Sequence, residues 1–505
     1  MASEGNLVSF ESRAGKWVLA TAVLGSGLAF LDGTVVNVAL PAIGEDLNAS
    51  TSSLQWILNG YLLTLASLIL LGGSLGDRFG RRRIFVLGVV MFTVSSLLCA
   101  IAPNVETLIG ARLLQGIGGA LLTPGSLAMI EATFVPGDRA RAIGAWSGLG
   151  GVATAIGPLL GGYLVDAVSW RMIFLINLPI GIAVALMATR HVPETHDPRA
   201  NGRIDYPGAI LAGLGLAGTT YALIEAPGRG AEPLVLFAGI AGVLALVAFL
   251  MVEKRSPNPM MPLTIFASRQ FSAANLVTFV VYTALGGVFF LLVSFLQISL
   301  GYSAIEAGAA SLPVTAILLV LSARSGALAQ RIGPRIPLTV GPIVIAAGLI
   351  LMTRINPGDG YVAAVLPAVI VFGLGLALVV APVTATVLAA ADDRNAGIAS
   401  GINNAVSRVG GLLAVAVLPL IAGLTGDKFY DPGAMTDGFH MAMVVCAALS
   451  ALGGVFAWLT ISSEVLHDDD DSGPSGEEEP SQSEFYSCPI DSTPLAQPIR
   501  ETDTG

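Results

Sequence analysis

Fourteen runs of predominantly apolar residues, each long enough to cross a lipid bilayer, constrain this chain more than any other feature of its sequence. A hydrocarbon core of about 30 Å takes roughly 20 residues of α-helix. With no water there to satisfy backbone N–H and C=O groups, only helices and closed barrels can span it. The first six runs are Trp17 to Leu40, Leu54 to Leu75, Ile84 to Ile101, Val105 to Ala132, Ala142 to Val165 and Met172 to Ala188. Two more follow, Tyr206 to Glu225 and Pro233 to Val252, and then another six: Phe271 to Gln297, Ala304 to Ala327, Pro337 to Met352, Tyr361 to Ala390, Ala396 to Leu424 and Phe439 to Ile461. Only 12% of the residues are charged, against about 25% in a soluble chain, so lipid must serve as the solvent. Trp17 to Leu40 is too long for a secretory signal and lacks a small-residue cleavage site, and is read as the first span. The expected fold is an all-α integral membrane protein of about fourteen transmembrane helices.

Basic residues set the expected orientation, because short cytoplasmic loops retain Lys and Arg. With the N-terminus inside, nineteen of the 25 basic residues fall on the cytoplasmic side, and only Arg171, Arg229, Arg354 and Lys428 fall outside. Both termini are therefore expected in the cytoplasm of a bacterial cell with the protein multi-pass in its inner membrane. The net charge of −10 comes from the end of the chain, where twelve acidic residues from Glu464 onward face Arg500 alone. That segment has too little apolar content to fold and is expected to be disordered. It is read as a solvating tail, with a regulatory role as the alternative.

An internal echo organises the spans. Gly73-Ser-Leu75-Gly-Asp77-Arg78-Phe-Gly80-Arg81-Arg82 recurs as Gly326-Ala-Leu328-Ala-Gln330-Arg331-Ile-Gly333-Pro-Arg335, an offset of 253 residues. Arg139 and Ile143 recur as Arg394 and Ile398 at an offset of 255. Offsets of eight spans rather than six predict two six-helix bundles separated by an inserted pair. The expected organisation is a cytoplasmic N-terminus (1–16), an N-terminal bundle (17–190), a linker (191–205), the inserted helices (206–252), a second linker (253–270), a C-terminal bundle (271–462) and the acidic tail (463–505). Parallel halves of this kind place a transport site near the membrane midplane between them.

Ionisable residues inside spans carry the most information. Each costs roughly 2.5 to 3.5 kcal/mol on insertion scales, so it is expected to face the bundle interior and to have a task. Asp32 and Arg112 both lie eight residues from the outer end of their spans, about 12 Å deep at 1.5 Å per residue. Equal depth allows an ion pair, which either holds two helices together statically or couples a proton to movement. The loop motif places Gly73, Asp77, Arg78, Gly80, Arg81 and Arg82 at the cytoplasmic surface. Its arginines follow from topology alone, but the glycine spacing and Asp77 point to a conformational latch. In the fifth span Gly157, Pro158, Gly161 and Gly162 suit close helix packing, and the proline adds a kink at a gate. Asn37, Trp56, Tyr61, Gln115, Gln297, Asn403, Asn404 and Arg408 are candidate substrate-lining residues, although aromatic residues in spans more often pack or anchor.

These stretches resemble the major facilitator superfamily, and specifically its fourteen-helix drug:proton antiporter branch. The resemblance rests on Gly73 to Arg82, on Arg112-Leu-Leu-Gln115-Gly116-Ile-Gly118-Gly119-Ala120, and on Gly157-Pro158-Leu-Leu-Gly161-Gly162. Further matches are Leu31-Asp32 through Leu40-Pro41, Trp170-Arg171 through Asn177-Leu-Pro179, Leu296-Gln297 through Gly301-Tyr302-Ser303, and Gly401 through Arg408-Val-Gly410. It implies export of an amphiphilic drug, antibiotic or metabolite by alternating access, driven by a proton gradient with no bound cofactor. It further implies Asp32 and Arg112 as the coupling pair, Asp77 as the latch and Gly157 to Gly162 as the antiporter motif. Apart from Asp32 no carboxylate sits deep in a span, which disfavours multiply charged cations as substrates.

The fold is shared with proton-coupled importers, and only the fifth-span motif favours export. A membrane-embedded enzyme is disfavoured because His191, His196, His440 and His467 lie in loops or at helix ends with no HExxH. The three scattered cysteines offer neither a disulfide framework nor metal-ligand spacing. No ring of charge suggests a channel, no P-loop suggests ATP, and nothing suggests nucleic acid. The expected partners are lipid, protons and a small amphiphile, and the expected state is a monomer.

Overall fold

A computed structural model describes residues 7–196, 204–391 and 396–466. From residue 467 the acidic tail lies outside the described residues, as do Arg199, Arg203 and Arg394. Within them are fourteen helices long and apolar enough to cross a membrane. They are α1 (Arg13–Leu47), α2 (Thr51–Phe79), α3 (Arg81–Ala100), α4 (Val105–Thr133), α5 (Pro136–Ala167), α6 (Met172–His191), α7 (Tyr206–Arg229) and α8 (Pro233–Arg255). After them come α9 (Arg269–Ile298), α10 (Ala304–Ile332), α11 (Arg335–Met352), α12 (Tyr361–Ala389), α13 (Ala396–Ile421) and α14 (Pro432–Thr460).

Most helices outrun the apolar runs that announce them, because polar caps carry them past the hydrocarbon. Ser12, Ser50, Asn104, Asp205, Ser268 and Asp431 each accept a backbone N–H of the first turn. Ser303 and Glu306 form a reciprocal capping box, so each of these first turns gains a partner for a donor the helix leaves open. Prolines interrupt two spans. Pro179 has no N–H to give Leu175 and its ring crowds that carbonyl, and α6 breaks between Leu175 and Asn177. Pro313 likewise divides α10 at Ser311.

The same four pairings build both halves. In the first, α4 packs on α2 and α3, α1 on α5, and α3 on α6; in the second, α12 packs on α10 and α11, α9 on α13, and α11 on α14. The inserted α7 and α8 pack on each other, and α7 also touches α2 of one half and α13 of the other. The outer face of α8 is apolar and open, with Phe237 69% exposed among Leu234, Ile240 and Leu244. In a membrane protein that belt faces lipid.

Alternation of direction places the described ends of the chain on one face, here the near face. On the far face the halves are sewn together. Asp166, at the end of α5, accepts the N–H groups of Ala304 (3.2 Å) and Ile305 (2.8 Å), capping α10 from across the seam. Gln55 donates to the Val415 carbonyl (2.7 Å), Gln297 to Val38 (3.0 Å), Thr51 to Gly426 (2.8 Å) and Tyr430 to Ala49 (2.7 Å). Among the described residues, the hydrogen bonds joining the two halves all lie toward this face. Small residues let the backbones close: a Cβ on Gly162 would meet the Ala304–Ile305 backbone, and one on Gly308 the Pro158 carbonyl.

Gly308→Ala is therefore expected to cost about 1–3 kcal/mol through overpacking. Gly33→Ala, where an added Cβ meets nothing within 4 Å, should be neutral or slightly stabilising, since Ala is the better helix former by up to about 1 kcal/mol. Thermal unfolding midpoints in detergent test this, and equal midpoints for the two variants would refute the tight far-face seam.

Candidate functional site

Arg112 is the largest fully buried side chain, 1% exposed, in the middle of the N-terminal half. Its Nη1 lies 2.5 Å from Asp32 Oδ2 on α1. The same atom donates to Gln115 Oε1 (2.6 Å), one turn along α4, and Nε donates to the Ile57 carbonyl of α2 (3.0 Å). Tyr61 of α2 lays its ring 4.5 Å from the guanidinium carbon, and Phe174 of α6 stands 5.8 Å away. Cation–π contact of this kind is strongest where water is absent.

Asp32 is fully buried and equally well partnered. Besides Arg112, its other oxygen accepts from Gln115 Nε2 (2.8 Å) and Asn177 Nδ2 (3.4 Å). Ser96 of α3 receives Gln115 (2.8 Å) and Asn177 (3.3 Å), completing the ring. The network thus draws on α1, α2, α3, α4 and α6, and it is sealed inside one half rather than placed between the two. Asn177 reaches Asp32 from the first residue after the Pro179 break, so the interruption of α6 supplies one of the donors. Ser96 and Asn177 are absent from the sequence-based candidates. The usable signal was Pro179, two residues beyond Asn177.

Five of the residues expected to line a substrate path make other contacts in this structure. Gln115 is fully buried as the hub of the ion-pair network, because i and i+3 share a helix face. Tyr61, 1% exposed, covers Arg112. Trp56 donates to Glu225 Oε1 of α7 (2.9 Å), so its indole fastens the inserted helix to α2 instead of facing a path. Gln297 is spent on the far-face seam, and Asn37 on the Gly33 carbonyl of its own helix (3.1 Å). In the C-terminal half Asn403 accepts from Thr278 (2.8 Å), and Asn404 lies next to it on α13. Arg408 of α13 has a buried Nε without a hydrogen-bond partner among the described residues. Its helix packs on both α2 and α9, so it lies on an element that borders both halves.

The loop motif closes within its own half in this state. Asp77 holds Arg81 (2.8 Å to both Nε and Nη2), and Arg81 Nη1 reaches the Ala128 carbonyl of α4 (3.1 Å). Arg82 donates its backbone N–H to Glu194 (3.0 Å) and its side chain to the Val192 carbonyl (3.0 Å), tying the start of α3 to the segment after α6. Gly80, at φ +109°, turns the chain between α2 and α3 in a conformation that L-residues resist. Gly73 lies against Pro124 of α4, and Arg78 lies over the Phe79 ring. In α5, Gly157 and Gly161 abut Thr34 and Val35 of α1, while Pro158 and Gly162 meet α10. One stretch of α5 therefore touches both the helix that carries Asp32 and the far-face seam. Among the described residues no group of three or more metal-ligating side chains occurs.

Comparison with known proteins agrees with this architecture. Residues 22–415 match the family model described as Major Facilitator Superfamily. The chain is 36% identical over 463 residues to a puromycin resistance protein of Streptomyces alboniger, covering 88% of this chain and 91% of that one. It is 38% identical to a tetracenomycin C resistance and export protein of Streptomyces glaucescens (82% and 77% covered) and 36% identical to a methylenomycin A resistance protein of Bacillus subtilis (92% and 98%). In fold it is similar to a bacterial homolog of the human lysosomal transporter Spinster in an inward-facing, unoccupied conformation, with TM-score 0.65, 20% identity, and 90% and 98% of the two chains covered. Fourteen membrane-spanning helices, duplicated six-helix halves and a match across most of its length place this chain in the major facilitator superfamily, as a membrane transporter and not an enzyme.

Proposed function

We propose that this protein exports amphiphilic small molecules of the antibiotic class in exchange for protons, with the near face, and so both termini, in the cytoplasm. The observation that carries the reading is the sealed Asp32–Arg112 pair and its mechanical path to the far-face seam. The identities of the resistance and export proteins above support the direction of transport, and the clustering of Arg and Lys on near-face loops supports the orientation. With the far face sewn shut and no hydrogen bond joining the halves at the near face among the described residues, the state is inward-facing. The cycle needs a proton gradient and no cofactor, and a monomer contains every part it uses.

The coupling follows from what protonation does to the network. Ionised Asp32 matches the charge of Arg112 and accepts from Gln115 and Asn177. Once protonated it can no longer neutralise Arg112, and removing one partner from a buried pair costs about 3–5 kcal/mol. That is close to the roughly 5.5 kcal/mol that carries a two-state equilibrium from 1:99 to 99:1. The relief available is movement of α1 relative to α4. Thr34 and Val35, two and three residues beyond Asp32, rest on Gly157 and Gly161, so α1 cannot shift without bearing on α5. α5 in turn carries Gly162 and Asp166, which close on α10. Asp77 serves as a near-face latch that holds its contacts within one half in this state and must exchange them when the near face closes. Arg408, on a helix that borders both halves, offers the substrate a polar partner together with Asn403 and Asn404.

Two predictions follow this path. Asp32→Asn keeps the shape of the site but cannot exchange a proton. In proteoliposomes with an imposed pH gradient, tested on puromycin, tetracenomycin C and methylenomycin A first, the variant should bind substrate yet lose uphill transport. Uphill pumping at the wild-type rate would sink the assignment of Asp32. Asp166→Ala removes the cap on α10, worth about 1 kcal/mol, and should raise the outward-open population about fivefold. Labelling of a cysteine placed at Asn37 by a membrane-impermeant thiol reagent, in a Cys488→Ser background, reads this out. An unchanged labelling rate would show that Asp166 does not hold the gate.

A further inference from the structure

A pair of buried acids lies outside this machinery, on the near face of the inserted helices. Glu253 ends α8 and is 2% exposed; Asp205 caps α7 and is 9% exposed. Each uses one oxygen on a backbone group. Glu253 Oε2 accepts the Met261 N–H (3.0 Å), folding the segment after α8 back on the helix, and Asp205 Oδ1 accepts the Gly208 N–H (2.8 Å). The other two oxygens, Glu253 Oε1 and Asp205 Oδ2, are buried without a donor. They face the same space beside Gly208, and each carboxyl lies close enough to act on the other. A Cβ on Gly208 would come within 2.7 Å of Glu253 Oε1 and 2.9 Å of Asp205 Oδ2, so the missing side chain at 208 is what makes room for both.

Among the described residues, no cation pairs with either carboxyl. Lys254 and Arg255, its neighbours on α8, are exposed, α2 brings Ser67 toward Gly213 of α7, and Asp205 is the charged group that acts on Glu253. Two ionised carboxylates in contact cannot both be tolerated away from water, because each loses solvation and each repels the other. Buried orphan acceptors also call for a specific explanation. One proton resolves both problems, turning one carboxyl into the donor that the other lacks. A cavity of about 420 Å³, lined in part by Asp205, Pro207, Val252, Arg255, Ser256 and Asn258, lies against the Asp205 side of the pair.

We infer that Asp205 and Glu253 form a proton-binding site that holds a single proton between Asp205 Oδ2 and Glu253 Oε1 and fastens the segment after α8 to the start of α7. The proton comes from bulk water and takes the pair from two negative charges to one. Because the folded pair holds a proton that the unfolded chain gives up more readily, its contribution to stability is present at lower pH and is lost as pH rises. The site is distinct from Asp32 and does not depend on the export reading, since it can be measured without substrate.

Infrared spectroscopy of the full-length protein in detergent at neutral pH tests the assignment through the carbonyl band of a protonated carboxyl group, identified by its shift in D2O. Glu253→Gln and Asp205→Asn are conservative, since each amide keeps the backbone acceptor and places a permanent N–H where the shared proton lies. Wild type minus Glu253→Gln and wild type minus Asp205→Asn should each show loss of one and the same band, and the double variant should lose no more than either single. The fall in unfolding midpoint on raising the pH above neutral should flatten in both variants. Unchanged bands in both single variants, or two bands lost additively, would overturn a shared proton. So would stabilisation of the wild type, but not the double variant, by sodium, potassium, magnesium or calcium, because a bound cation would then fill the gap.

Discussion

Arg112 imposes the arrangement on which the rest of the N-terminal half depends. A guanidinium is charged at any accessible pH, and inside a membrane protein it must be neutralised and have its donors placed. Asp32 supplies the charge, Gln115 and the Ile57 carbonyl take further N–H groups, and Tyr61 offers its ring face. Meeting these demands brings five helices to one point. The cost of breaking the pair, a few kcal/mol, is of the size needed to shift a two-state transporter between its states. The same constraint therefore accounts for the order of the bundle and underlies the proton coupling proposed above.

The duplication of the halves does not extend to this chemistry. The offset of 253 residues carries Asp32 onto Leu285, and it carries Arg112 to the apolar stretch that begins at Val365. The C-terminal half repeats the packing of helices without the buried pair, as its loop motif repeats with Gln330 where Asp77 stands. Under the proposed coupling, protonation of Asp32 acts directly on one half alone. The other is reached through contacts at their seam, which include the Gln297 bond to Val38 of α1 itself and those of α5 with α10.

The ion pair was legible because charged residues in apolar runs are rare and helical rise converts sequence position into depth. Asp32 and Arg112 could be placed at one level before any contact was known. Ser96 and Asn177 were not legible, since neutral polar residues are common in membrane helices and nothing local says which one faces a charge. Gln115 lay one turn from Arg112, and its expected role as a lining residue gave way to the nearer demand of the guanidinium. Trp56 was drawn aside by Glu225, a residue of the inserted pair whose position no repeat could supply. Span ends were shifted outward by caps such as Ser12 and Asp431, which hydropathy does not register.

The inserted pair can now be assigned mechanically. α7 touches both α2 and α13 and so lies across one seam between the halves, which a rocking motion must shear. Its side-chain hydrogen bond to a neighbouring span is that of Glu225 with Trp56 of α2, reinforced by Tyr221 at 6.2 Å from the Trp56 ring and by Arg229 on Glu225. Toward α13, among the described residues, no hydrogen bond is made. A hydrogen-bonded face moves with its partner, and a face held by apolar contact alone can slide. α7 is therefore fastened by hydrogen bonding to the N-terminal half, and its contact with α13 is the one that a rocking cycle of the proposed kind would shear.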